Sequence, residues 1–130
     1  LSLHDALPIY HTNVLMCVGT EFAIVCLATI PDDARRTEIV DRLEETGRTV
    51  IDISMHQVHE FAGNAFELSG GEDRLLAMST RARNALTAEQ IGVITESCDI
   101  VAVDISTIEL AGGSVRCMLA GIHLDTRPTP

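Results

Sequence analysis

Apolar and polar residues along the chain follow an order that predicts a small α/β unit. Two short apolar runs, Val14–Val18 and Phe22–Leu27, flank a Gly-Thr-Glu turn and predict a β-hairpin. Residues 31–46 have apolar positions on one helical face, and Gly47 follows as a stop signal, so we expect a helix there. The β-branched run Thr49–Ile53 predicts a strand that returns to the hairpin.

The same order then occurs a second time. The runs Asn64–Leu68 and Arg74–Met78 predict a second hairpin around a glycine-rich turn. Thr87 and Gln90 have the spacing of a capping box and predict the start of a second helix, before a strand at Asp99–Ile105. Recurrence at a spacing of about fifty residues is typical of repeat architectures, whose units bury their faces against neighbours. We therefore predict an α/β fold of repeated units.

Composition and charge narrow the classes of function. The chain has 130 residues, 46% of them hydrophobic, which allows one domain with a real core. The formal net charge of −10 argues against a nucleic-acid partner, because no basic stripe is present. Charged residues interrupt every apolar run, so we predict no membrane span and no membrane partner. A small cationic substrate would suit such a field.

The four cysteines differ in their surroundings. Cys17, Cys26 and Cys98 lie in or beside apolar runs and are predicted to be buried. Cys117 follows two glycines and Arg116, where a thiol could be approached and biased towards the thiolate; a buried cysteine in a strand at residues 115–119 is the alternative. No signal peptide is visible, so we expect a reducing cytoplasm.

Further polar residues are candidates for a site with Cys117. His11, in the segment His11-Thr12-Asn13, lies far from Cys117 in sequence, and nucleophilic cysteine sites are usually assembled in this way by the fold. Asn64 could bind substrate or could simply form a turn, and both interpretations stay open. His56 and His59 have no further ligands at a helpful spacing, so we predict no metal site.

Three segments together resemble a known family. Gly112–Ala120, Tyr10–Val14 and Phe61–Asn64 resemble the arginine deiminase-related branch of the amidinotransferase family, and in particular its citrulline-utilisation hydrolase-like members. The resemblance covers most of residues 10–124. It implies a five-bladed α/β propeller of ββαβ modules, of which this chain would hold about two blades and the start of a third at Gly112.

The resemblance also implies a chemistry. Cys117 would attack the central carbon of a guanidino or ureido amino acid, and His11 would protonate the leaving amine and later activate water. Asn13, Asn64 and Arg116 are the predicted substrate-binding residues, and no cofactor is expected. Arginine deiminases carry an aspartate where this chain has Asn13, which makes a neutral substrate such as citrulline possible besides arginine.

Two other functions remain as alternatives, and one segment is set aside. An amidinotransferase would form the same covalent adduct on Cys117 but transfer the amidino group to an amine instead of water. A non-catalytic binding protein with the same propeller fold would not use Cys117 and His11 for catalysis. Residues 1–9 resemble the translation of a sequencing adapter, so we predict a non-native leader followed by the C-terminal part of the propeller domain, residues 10–130. Such a part would leave blade faces unburied, and we do not expect it to fold independently.

Overall fold

The structure, a computed structural model, describes residues 11–70 and 73–121. The predicted leader, residues 1–9, lies outside the described residues. The helices are α1 Asp33–Glu44, α2 Met55–His59, α3 Thr80–Ala85, α4 Ala88–Thr95 and α5 Ser106–Glu109. The strands are β1 Met16–Val18, β2 Phe22–Val25, β3 Thr49–Asp52, β4 Phe66–Gly70, β5 Asp73–Ser79 and β6 Asp99–Val103. Short 3-10 helices cover Thr12–Val14, Leu27–Thr29 and Val115–Met118.

The first sheet contains the predicted hairpin and the strand that follows α1. β1 and β2 pair antiparallel with Cys17 opposite Ile24, and β3 lies parallel to β2 with Ile51 opposite Ile24. The side chain of Asp32 accepts a main-chain N–H at 2.7 Å and caps α1, and the chain leaves this helix through Gly47 at a φ of 83°. The predicted order of two strands, a helix and a strand is confirmed.

The second sheet has the same strand order as the first. β4 and β5 pair antiparallel with Leu68 opposite Leu75, and β6 lies parallel to β5 with Asp99 opposite Leu75. The predicted capping box at the start of α4 is present, with Thr87 and Gln90 each bonded to the other's main-chain N–H. The two repeated units found in the sequence are therefore two copies of one topology.

The two units share a hydrophobic core. Phe22 and Ile24 from β2 and Leu76 and Met78 from β5 are at most 1% exposed and belong to one cluster with Ile94 of α4. Burial of such side chains stabilises a fold by about 1.5 to 3 kcal/mol each. The core therefore fixes the first sheet against the second.

Two capping glutamines connect the units at the helix starts. Gln57 closes the capping box of α2, and its Nε2 donates to Oε1 of Gln90 at 2.7 Å and to the main-chain oxygen of Ala85 at 2.9 Å. Nε2 of Gln90 donates to the main-chain oxygen of Asp52 at 2.8 Å. The residues that start two helices thus also join the two ββαβ units.

The structure differs from the sequence prediction in three places. α2 and α3 were not expected, although Ser54 and Gln57 have the capping-box spacing that could have revealed α2. The strand considered for residues 115–119 was wrong, because Val115–Met118 is a 3-10 helix. The segment from Gly112 to the last described residue, 121, contains no strand, so the third unit remains a prediction.

A membrane span requires a long apolar helix. No helix within residues 11–70 and 73–121 is both long enough and apolar enough to meet this requirement.

Core packing predicts a large difference between two methionine variants. Met78 is fully buried, whereas Met118 is 47% exposed. We expect Met78→Ala to lower the free energy of unfolding by about 2 to 5 kcal/mol, through lost burial and a residual cavity, and Met118→Ala to change it by less than about 1 kcal/mol. Urea titration followed by circular dichroism measures both, and a cooperative transition of the unsubstituted chain would contradict our expectation that it does not fold independently. Equal losses in the two variants would contradict the shared core.

Candidate active site

The side chain of Asn64 lies fully buried between two segments that are far apart in sequence. Its Nδ2 donates to the main-chain oxygen of Asn13 at 2.8 Å and to Sγ of Cys117 at 3.2 Å. The main-chain oxygen of Asn64 accepts the N–H of Arg116 at 3.3 Å. The structure thus brings together Asn13, Asn64 and Cys117, three site residues predicted from separate segments of the sequence.

The turn after α2 carries Asn64 to this position. Phe61 has a φ of 64°, its N–H donates to the oxygen of Val58, and the N–H of Ala62 donates to the oxygen of Gln57, both at 2.9 Å. These bonds form a Schellman motif with phenylalanine at the position that glycine usually takes. The N–H of Asn64 then donates to the oxygen of Phe61 at 2.9 Å. Asn64 is therefore part of an ordered helix end.

Gly63 allows this turn to approach the segment after His11. A Cβ added at Gly63 would lie 2.6 Å from the main-chain oxygen of Val14 and 2.9 Å from the carbonyl carbon of Leu15. Both neighbours are main-chain atoms, which have little freedom to move away. A residue without a side chain is thus required where Asn64 meets the segment that contains Asn13.

Cys117 lies in the 3-10 helix Val115–Met118 and is exposed. Its N–H donates to the oxygen of Ser114 at 3.0 Å, and the Ser114 hydroxyl donates to Oε1 of Glu109 at 2.8 Å, with both of these residues buried. A Cβ added at Gly113 would lie 3.6 Å from Sγ of Cys117. The buried hydrogen bond between Ser114 and Glu109 therefore anchors the segment that carries Cys117. The absence of a side chain at Gly113 leaves one side of the sulfur open.

His11 is exposed and directly precedes the 3-10 helix Thr12–Val14. Its main-chain oxygen accepts the N–H of Val14 at 3.1 Å. The first strand begins at Met16, two residues later than predicted, so His11 stands before a helical turn and not directly at a strand. Because Asn64 bonds to Asn13, the His11 segment and the Cys117 segment are attached to the same amide.

The Arg116 side chain is engaged within its own segment. Its Nη1 donates to the main-chain oxygen of Leu119 at 2.9 Å, and its guanidinium carbon lies 4.3 Å from the centre of the Phe66 ring. A cation over an aromatic face is stabilised by the ring quadrupole. The described geometry therefore gives Arg116 a clear role in holding the Cys117 loop against β4.

Two buried amide oxygens lack partners in the described part of the chain. These are Oδ1 of Asn13 and Oδ1 of Asn64. A buried acceptor without a hydrogen bond costs about 1 to 3 kcal/mol. Both belong to residues linked directly to Cys117 through the Asn64 amide.

The other three cysteines are buried, as predicted. Burial, followed by the nearby Glu67 carboxylate, raises the pKa of Cys17 to about 12. Burial also raises the pKa of Cys26 and of Cys98. These thiols stay protonated at neutral pH, which leaves the exposed Cys117 as the candidate nucleophile.

The described residues contain no group of three histidine, cysteine or carboxylate side chains that could hold a metal ion. His56 and His59 are both exposed on α2.

Three residues of the site received no role from the sequence. Gly63, Ser114 and Glu109 act through contacts that no local pattern announces. Glu109 is buried, and its carboxylate accepts the hydrogen bond of the Ser114 hydroxyl. For Gly63, the glycine directly before a candidate asparagine was the available signal.

Comparisons with known proteins agree with the topology. The family model described as N,N dimethylarginine dimethylhydrolase, eukaryotic, matches residues 2–124. A search of curated proteins found no match. The fold is similar to the crystal structure of apo ArgZ, an arginine dihydrolase from the ornithine-ammonia cycle in cyanobacteria, with a TM-score of 0.60 and 16% identity. That match covers 84% of this chain and 16% of the ArgZ chain, and at this identity it shows the fold alone.

The close approach at Gly63 generates a prediction with a matched control. Gly63→Ala should destabilise the protein by about 1 to 3 kcal/mol or more, because a Cβ there collides with main-chain atoms. Gly92→Ala, in the exposed face of α4 with no atom within 4 Å, should stabilise it by about 0.5 to 1 kcal/mol. Thermal melting compares the two, and a stable Gly63→Ala variant would refute the close approach.

The raised pKa of Cys17 predicts a loss of stability in alkaline solution. The unfolded thiol ionises near its ordinary pKa of about 8.5. The folded thiol ionises only at about 12. Stability from this group is thus complete below about pH 8.5 and falls by up to about 1.4 kcal/mol per pH unit as the pH rises towards about 12.

Cys17→Ala should flatten this decline in the free energy of unfolding, whereas Cys117→Ala should leave the contribution of Cys17 in place. Urea titrations at several pH values between about 8 and 11 measure the slope. Parallel curves for Cys17→Ala and the unsubstituted protein would contradict the burial of a protonated thiol.

Proposed function

The chain belongs to the N,N-dimethylarginine dimethylhydrolase family, and we propose that it carries the nucleophile and the acid–base group of a hydrolase. The reaction is cleavage of a C–N bond in a guanidino or ureido amino acid. One observation supports this most directly: the exposed sulfur of Cys117 accepts a hydrogen bond from buried Asn64, which also holds the segment of His11. Nucleophilic cysteine sites are typically assembled from a cysteine and a histidine that lie far apart in sequence.

In the first half of the proposed reaction, the Cys117 thiolate attacks the central carbon of the guanidino or ureido group. A C–S bond forms, and the bond between this carbon and one nitrogen breaks. His11 gives its proton to the departing nitrogen, which leaves as a neutral amine or ammonia. For a guanidino substrate, the enzyme now carries a thiouronium-like adduct on sulfur.

In the second half, His11 removes a proton from water as the water oxygen attacks the same carbon. The C–S bond breaks, and the sulfur leaves as the thiolate that began the cycle. His11 is protonated again, so both groups return to their starting states. The division of one difficult displacement into two easier ones is the general advantage of covalent catalysis.

The unpartnered amide oxygens of Asn13 and Asn64 support the proposed substrate class. Guanidino and ureido groups present several N–H donors close to their central carbon, and amide oxygens such as these are suitable acceptors for them. An amide oxygen does not neutralise a cation, so Asn13 suits a neutral ureido group as well as a guanidinium. Arg116 would serve the site mainly by holding the Cys117 loop in place.

We further propose that the two ββαβ units are blades of a larger α/β propeller. Their identical strand order and their similarity to the arginine dihydrolase fold support this. This chain spans 16% of the length of that protein, so the complete site would include residues from further blades. A cytoplasmic enzyme of the arginine deiminase-related branch remains our interpretation of the motifs around His11 and Cys117.

Two electrophiles with the same leaving group test the proposal. For each thiol we compare the alkylation rate with 2-chloroacetamidine, a cationic mimic of guanidine, with the rate with 2-chloroacetamide. We expect this rate ratio to be at least about tenfold higher for Cys117 than for glutathione, because the site binds the amidinium next to the sulfur. Peptide mass spectrometry identifies the modified cysteine. In a protein that also contains the further blades, turnover of arginine, citrulline and N,N-dimethylarginine in water without an added amine distinguishes hydrolysis from amidino transfer, and Cys117→Ala should abolish it.

Cys98→Ala is the control for the labelling experiment, since Cys98 is buried and takes no part in the proposed chemistry. It should leave the preference for the amidine unchanged. If folded protein shows no greater preference for the amidine over the amide at Cys117 than glutathione does, the result would contradict the proposal and favour a non-catalytic protein of the same fold.

A further inference from the structure

We propose that Asn64 stabilises the anionic sulfur of Cys117 and sets its position relative to the His11 segment, before any substrate binds. This inference deepens the proposed function and rests on it, because the sulfur is the reacting atom there. It assigns to Asn64 a role that the substrate-binding interpretation does not contain. The two roles use different ends of one amide, since Nδ2 faces the sulfur and Oδ1 remains unpartnered.

The orientation of the Asn64 amide is determined by its neighbour. The main-chain oxygen of Asn13 can only accept hydrogen bonds, so the amide end that lies 2.8 Å from it must be Nδ2. This nitrogen carries two hydrogens, and the second is directed to Sγ of Cys117 at 3.2 Å. The sulfur is therefore an acceptor in this bond. Hydrogen bonds to an ionised acceptor are about twice as strong as neutral ones, so this contact is strongest when the sulfur carries negative charge.

The donor is fixed by its surroundings. Asn64 is fully buried, its N–H donates to Phe61, and its main-chain oxygen accepts from Arg116, the residue before Cys117. Asn64 is thus hydrogen-bonded to the Cys117 segment twice, by its main-chain oxygen and by its side chain. A dipole that is already aimed at the site of negative charge needs no reorganisation during the reaction.

Asparagine is suited to this position for geometric reasons. An ionised aspartate would have no hydrogen to donate to either partner, and a serine hydroxyl has one hydrogen for two acceptors. Glutamine is longer by one methylene, and position 64 is fully buried next to Gly63, which already lies against main-chain atoms. Asparagine satisfies both acceptors at once, one in each segment of the site.

The first experiment measures alkylation of Cys117 by neutral iodoacetamide at pH 7. Asn64→Leu replaces the amide with an apolar group of similar size, and Asn84→Leu makes the same change at an exposed position of α3. We expect Asn64→Leu to slow alkylation of Cys117 about tenfold, because a bond to the reactive anion is lost, and Asn84→Leu to have no effect. Buried Cys17, Cys26 and Cys98 report folding, since they react only in an opened chain.

The outcomes separate clearly. Slower labelling of Cys117 with the three buried cysteines still protected supports the proposal. An unchanged rate at Cys117 with the same protection overturns it. Neither result depends on recognition of a guanidino group, so the two failures are distinguishable: failure of the proposed function appears as a lost amidine preference, and failure of this inference as an unchanged rate with iodoacetamide.

A second measurement decides the case in which Asn64→Leu exposes the buried cysteines. Cys117→Ala changes an exposed side chain, and the two Nδ2 protons of Asn64 are observed by NMR before and after. We expect one of them to move strongly upfield, because it loses its acceptor, while the other keeps its bond to Asn13. The amide protons of Asn84 serve as the control. Small or equal changes in both Asn64 protons would overturn the proposal.

Discussion

The two hydrogen bonds donated by the Asn64 side chain are the contacts on which the candidate site depends. They join a main-chain oxygen 51 residues away to a sulfur 53 residues away, through a side chain that has no exposed surface itself. A buried amide that lost these partners would be costly by about 1 to 3 kcal/mol, so the pair strongly favours a single arrangement. The Schellman turn at Phe61 and the missing side chain at Gly63 serve to bring this amide into place.

Two copies of a repeated unit form the framework around this contact, and they are joined by a shared core and by hydrogen bonds. Each sheet pairs a hairpin with a parallel strand, and the apolar faces of both meet in one core. The capping glutamines Gln57 and Gln90 start two helices and also bond to each other across the boundary between the units. Helix initiation and unit assembly thus reinforce one another, as expected for a chain whose local and global preferences agree.

Much of the fold could be predicted because its signals are local. Short runs of strand-forming residues and the turn residues between them predicted both hairpins, and the Thr87 and Gln90 spacing predicted the start of α4. Short elements without strong periodicity were missed, as at Met55–His59 and Thr80–Ala85. Val115–Met118 was compatible with a strand by composition, but its main chain bonds back to Ser114 and Asn64 and forms a 3-10 helix. Family membership then follows from a match over residues 2–124.

The sequence by itself determined which residues could take part in chemistry, since residue type, neighbouring glycines and flanking patterns are visible without coordinates. It singled out His11, Asn64 and Cys117, and it identified the three cysteines that are buried. Only the tertiary structure decided that Asn64 lies between the other two segments with its amide nitrogen on the sulfur. It also decided that Glu109 is buried against Ser114. The physical reason is that hydrogen bonding and burial depend on distances between residues remote in sequence, which are set when the core of both sheets packs.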